Sequence, residues 1–164
     1  MKFRQRLASS LLLLLISVIA YGQYTYDEAC DILRKNGYTV SDGKYNRLQQ
    51  GYSFDYARKF QAGNHYAVIA YTGSEYVKDI GLLLWLDDGE LLFQQPYLAS
   101  NFESANFAVK WDREVKIEIR NESAMYPDYK FYCGFVIGYK NMDDSSRSGG
   151  DGSRSIEIRN TRKN

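Results

Sequence analysis

The sequence predicts an all-β protein, an antiparallel and jelly-roll-like β-sandwich of about seven to nine strands behind a short N-terminal helix. Three observations predict it. From about Tyr38 onward apolar residues recur with a period of two, the segments that carry them are strand-length, and turn residues separate them at short intervals. With 45% hydrophobic residues in 164, the chain has enough apolar matter for one core and too little length for two ordinary domains. A closed antiparallel barrel is the alternative, because strand periodicity does not distinguish closure from stacking.

In chain order, Lys2, Arg4 and Arg6 precede an apolar run from Leu11 to Ala20 that is short for a bilayer span and ends at Ala20-Tyr21-Gly22. Residues 1–22 therefore read as a cleaved secretory signal, with an uncleaved anchor as the alternative. Localisation is then secreted or periplasmic, with no membrane span left after cleavage. Removing the three basic residues of the signal turns 21 Lys and Arg against 20 Asp and Glu into 18 against 20.

The folded unit is expected over residues 23–142. Thr25-Tyr26-Asp27-Glu28 is a capping box, and Tyr26, Ala29, Cys30 and Leu33 share one face of the helix it opens, which Gly37 stops. Tyr52, Phe54 and Tyr56 alternate with Ser53, Asp55 and Ala57 as a half-buried strand. After the turn Gln61-Ala62-Gly63-Asn64, Tyr66, Val68 and Ala70 alternate with Ala67, Ile69 and Tyr71, apolar on both faces as in an interior strand. Ile80 to Leu86 is also apolar throughout, and Asp87-Asp88-Gly89-Glu90 turns it into Leu91, Leu92 and Phe93. Phe107, Val109 and Trp111 form a further strand, Val115, Ile117 and Ile119 another, and Tyr129 to Tyr139 the last, with Phe131, Cys133, Phe135 and Ile137 on one face. Residues 143–164 turn to Ser, Gly, Arg and Asp and read as a flexible polar tail. Within it Ile156-Glu157-Ile158-Arg159-Asn160 repeats Ile117-Glu118-Ile119-Arg120-Asn121, so a short strand at 155–160 would add to a sheet edge, in this molecule or in another.

Phe60-Gln61-Ala62-Gly63-Asn64-His65-Tyr66, Val77-Lys78-Asp79-Ile80-Gly81-Leu82 and Trp85-Leu86-Asp87-Asp88-Gly89-Glu90-Leu91 together resemble the bacterial pre-peptidase C-terminal domain over about residues 51–140. The resemblance implies a non-catalytic sandwich of the kind attached to secreted enzymes, some of which bind fibrous protein, carbohydrate or Ca²⁺. Gly81 stands where many relatives carry a second Asp, and the Gly-x-Tyr signature is missing around Trp111 to Val115. The module is expected to stand alone, with no protease domain before it.

Near-neutral charge lacks the basic excess that holds phosphate, so nucleic acid is excluded as a partner. One His and two Cys cannot make a Cys/His zinc site without carboxylates. In an oxidising compartment Cys30 and Cys133 would form a single disulfide, closing a loop of about 100 residues and contributing roughly 4–5 kcal/mol; a Cys nucleophile is the competing reading. His65, the only imidazole, lies in no nucleophile signature and reads as a solvent-facing strand residue. Asp79, Asp87, Asp88 and Glu90 would serve the backbone of turns, and no cofactor is expected; the alternative is that they meet at one end of the sandwich and offer oxygen ligands to Ca²⁺. The 15 Tyr exceed what one core needs. Tyr76, Tyr97, Tyr126 and Tyr129 fall in loops or strand ends, where rings stack on sugars or anchor a protein. The expected function is an exported, non-catalytic binding or accessory module whose partner is an extracellular or envelope protein or glycan. A small secreted hydrolase using the carboxylates, or a structural subunit assembling through edge strands, are the alternatives.

Overall fold

The computed structural model describes residues 25–94, 99–142 and 155–157. The expected signal at 1–22, most of the expected flexible tail, and Tyr97 lie outside the described residues. The elements are α1 (Tyr26–Lys35), β1 (Thr39–Leu48), β2 (Ser53–Phe60), β3 (Asn64–Thr72), β4 (Val77–Leu86), β5 (Leu91–Gln94), β6 (Phe102–Val109), β7 (Arg113–Ala124), β8 (Phe131–Asn141) and β9 (Ser155–Glu157). Among them no helix is long and apolar enough to cross a membrane.

The strands form two sheets that do not close into a barrel. One has the order β1-β8-β3-β6, antiparallel throughout, with β9 added parallel to β6; the other has the antiparallel order β2-β7-β4-β5. This is the jelly-roll order. Strand β4 returns as β5 through the Asp87-Asp88-Gly89-Glu90 turn, in which Gly89 takes φ +84° and the Leu86 N–H donates to Glu90 O at 2.8 Å. The pairs β3·β6, β2·β7 and β1·β8 then enclose that hairpin in turn.

Between the sheets Tyr66, Val68 and Ala70 of β3 and Phe107 and Val109 of β6 face Ile80, Leu82 and Leu84 of β4 and Val115, Ile117 and Ile119 of β7, all buried. The alternation expected for β8 holds, with Cys133, Phe135 and Ile137 in this layer and Phe131 packed against it. Trp111 is exposed and lies beyond the end of β6, and Tyr52 belongs to the turn before β2. Each had been expected inside a strand.

The other face of β3 is apolar because α1 covers it. Ala29, Cys30 and Leu33 pack on Ala67, Ile69, Tyr71 and Val136. The helix starts at the Thr25/Glu28 capping box, where Thr25 N donates to Glu28 Oε2 at 2.7 Å and Glu28 N to Thr25 Oγ1 at 3.3 Å. It stops at Gly37 (φ +77°) in a Schellman motif, with Tyr38 N donating to Leu33 O and Gly37 N to Arg34 O, each at 3.0 Å. Close docking needs a bare backbone beneath it: a Cβ on Gly138 would lie 2.9 Å from Tyr38 Cβ and 3.1 Å from Leu33 Cδ2.

This layering corrects the expected disulfide. Cys30 and Cys133 are both buried free thiols. Cys133 points into the layer between the sheets, whereas Cys30 sits under α1 on the opposite face of the first sheet, so a sheet separates them. Burial pushes the Cys133 thiol up to about 12, against a hydrogen bond with Thr72 that lowers it, which keeps it protonated. The folded chain is therefore expected to run identically with and without reductant, and to yield its two thiols to alkylation only after denaturation. A reductant-dependent shift in mobility would contradict this layering.

Candidate functional site

Two loops at one end of the sandwich carry the rings singled out in the sequence: residues 73–76 between β3 and β4, and 125–130 between β7 and β8. Tyr126-Pro127-Asp128-Tyr129 is a four-residue turn closed by Tyr129 N donating to Tyr126 O at 3.1 Å, with Pro127 supplying the preset φ of its second position. The first loop is held by Tyr76 N to Ser74 Oγ (3.3 Å), Ser74 N to Thr72 Oγ1 (3.3 Å) and Lys78 Nζ to Glu75 O (2.8 Å). Met125 N donates to Tyr76 O at 2.7 Å and ties the loops together.

Three of the four expected tyrosines meet there. The Tyr76 and Tyr126 ring centroids are 5.3 Å apart at 61°, and those of Tyr126 and Tyr129 are 6.0 Å apart at 68°, both edge-to-face. Tyr76 also leans on Phe131, at 6.0 Å, which anchors the cluster to the core layer. Tyr76, Tyr126 and Tyr129 are 39%, 47% and 67% exposed and Met125 is 53% exposed, so the cluster presents an apolar surface to solvent. The charge of Glu75 raises the Tyr76 phenol above its ordinary 10.0, so all its chemistry at neutral pH is that of a neutral ring and a hydroxyl. Met125 and Phe131 were not singled out in the sequence, since neither differs there from an ordinary core residue. A second exposed pair, Tyr45 and Tyr132, packs edge-to-face at 5.6 Å on the outer side of β1 and β8, with the Arg47 guanidinium 5.5 Å from the Tyr132 ring.

The alternative Ca²⁺ set does not assemble. Asp79 lies near the start of β4, whereas Asp87, Asp88 and Glu90 belong to the turn after its end, eight extended residues or about 26 Å away. Asp79 is buried and accepts from Ser100 N; Asp87 pairs with Arg113 at 3.2 Å, and Asp88 accepts from Glu90 N at 3.0 Å. Among the described residues no three His, Cys, Asp or Glu side chains are placed to hold a metal ion.

The acid that does approach Asp79 is Glu103, on β6. Among the described residues β5 pairs with β4 at Leu83–Trp85. Upstream, the backbone N–H of Leu82 donates to Glu103 Oε2 at 3.3 Å and that of Ile80 to Ser100 O at 2.8 Å. Glu103 is buried, and burial, together with the charges of Asp79 and Glu122 and against the Leu82 hydrogen bond, pushes it up to about 7. A signal for it was present: counting back from Phe107 by twos through Ala105 places Glu103 on the inward side of β6.

His65 is half-buried on β3, not solvent-facing. Burial and the Lys140 charge lower it from 6.5, and no serine or cysteine partner accompanies it among the described residues.

No family model matches the chain, and no curated protein matches its sequence.

Proposed function

We propose that this chain is an exported, non-catalytic β-sandwich module that binds an extracellular or envelope protein or glycan through the tyrosine-bearing end. The observation that carries the reading is the contact between Tyr76, Tyr126 and Tyr129, three exposed rings from two loops hydrogen-bonded to each other. Tyrosine offers large contact area with few rotatable bonds and a hydroxyl that stays hydrated until contact, which is why it is enriched at the centres of binding surfaces. Export rests on Lys2, Arg4, Arg6 and the apolar run that follows. The resemblance to pre-peptidase C-terminal domains points to the same accessory role. The carboxylate hydrolase reading is weakened because Asp79 and Glu103 are buried and engaged with backbone N–H groups.

The test applies the chain to a glycan array and to immobilised envelope extract, beside the triple variant Tyr76→Ala/Tyr126→Ala/Tyr129→Ala. Retention of the wild type and at least about a tenfold loss in the variant, at unchanged circular dichroism, is the expected result. The assignment fails if substituting the distant exposed Trp111 by alanine weakens retention as much as the triple change.

A further inference from the structure

Strand β6 is paired differently on its two sides. Toward the sheet interior it pairs with β3 along its whole length, from Phe102 opposite Tyr71 to Val109 opposite Asn64. Among the described residues β9 pairs on the outer side with Asn106, Phe107 and Ala108, through Ser155, Ile156 and Glu157, and it runs parallel where the other pairings of the two sheets are antiparallel. The three residues of β9 open the string Ile156-Glu157-Ile158-Arg159-Asn160, which repeats Ile117-Glu118-Ile119-Arg120-Asn121. The latter occupies β7, paired on both sides, with Ile117 and Ile119 wholly buried. The same residues in the same order thus form a fully paired strand elsewhere in this molecule.

We propose that the outer edge of β6 is a strand-acceptor site, that β9 is its removable internal occupant, and that its external ligand is an extended peptide alternating β-branched with charged residues. Backbone hydrogen bonds give such a site its affinity, and alternate side chains give it selectivity. The direction of β9 sets the ligand parallel to β6. A three-residue strand is shorter than the usual five or six and is a weak occupant by itself. What holds it is attachment to the same chain, which sets an effective concentration on the order of millimolar. Strand β9 then acts as a guard that keeps the edge from pairing indiscriminately and yields to a better strand.

The probe is a synthetic peptide of residues 152–160, titrated into the isotope-labelled full chain and into the full-length variant Ile156→Pro/Glu157→Pro. Two successive prolines remove two N–H groups, one of which faces β6 whatever the pleat, while leaving the sandwich untouched. The peptide is expected to bind the variant at least about tenfold more tightly than the wild type, with amide shifts centred on Asn106, Phe107 and Ala108. Equal affinity for the two chains would overturn the guard, and the absence of shifts at those three amides in the variant would overturn the acceptor site. A peptide carrying the same two prolines should not bind; if it does, the recognition is not that of a strand.

Discussion

Replacing Phe135 by alanine is expected to cost about 3–5 kcal/mol of folding stability. Phe135 lies on β8, between β1 and β3, and its ring is fully buried between the sheets. It meets Phe54 and Tyr56 of the opposing sheet, with centroids at 6.1 and 5.4 Å. Removing it forfeits the transfer free energy of a whole ring and leaves a cavity that the two sheets cannot collapse to fill, since each is fixed by its own ladder. Against a typical total of about 5–15 kcal/mol the loss is a large fraction. Urea unfolding should show the midpoint falling with the slope retained. The exposed Trp111→Ala should stay within about 0.5 kcal/mol. A loss below about 1 kcal/mol for Phe135→Ala would be incompatible with the packing.

The second large effect is on pH dependence and belongs to Glu103. Its carboxyl has a folded pKa of about 7 against an ordinary 4.5. Below 4.5 it is protonated in both states and its contribution to stability is fully present. As pH rises from 4.5 through 7 the unfolded chain ionises first, and the folded state must then accept a buried charge beside Asp79 and Glu122. Stability from this group is lost across that window, by roughly 3 kcal/mol in all. Glu103→Gln keeps an acceptor for the Leu82 N–H and cannot ionise, so it should be more stable than the wild type at pH 8 and equal to it near pH 4. Thermal melts of both chains between pH 4 and 8 check this; parallel profiles would remove Glu103 as the source.

The interior strands were legible because their alternation is made of residues whose only favourable place is a core. Val68 and Ala70 against Ala67 and Ile69 read as an interior strand, and the second apolar face is the one that α1 covers. Strand β1 was less distinct because only Leu48 of its ten residues is buried, leaving no apolar period to read. The inward direction of each cysteine was also readable, Cys30 from its helical face and Cys133 from its parity with Phe135. Which side of the first sheet the helix covers is a tertiary fact, and it decides the pairing of the thiols. For the acids the obstacle was different: Ile80 to Leu86 read as one strand already placed Asp79 and Asp87 at opposite ends of it. The tyrosines of the candidate site were legible as loop residues, but their mutual contact depends on the two loops bonding through Met125 and Tyr76.

The nesting of the strand pairs has a kinetic consequence. Among the described pairings only β4·β5 joins consecutive strands, through a short turn; β3·β6, β2·β7 and β1·β8 close progressively larger loops, until Thr39 meets Tyr139. Each closure must spend chain entropy before its ladder forms, so a molecule dominated by such distant pairs folds on the millisecond-to-second scale. The Asp88-Gly89 hairpin is the natural starting point, and the outermost pair, on which the helix rests, comes last. A nascent chain therefore cannot complete its first sheet until β8 has emerged.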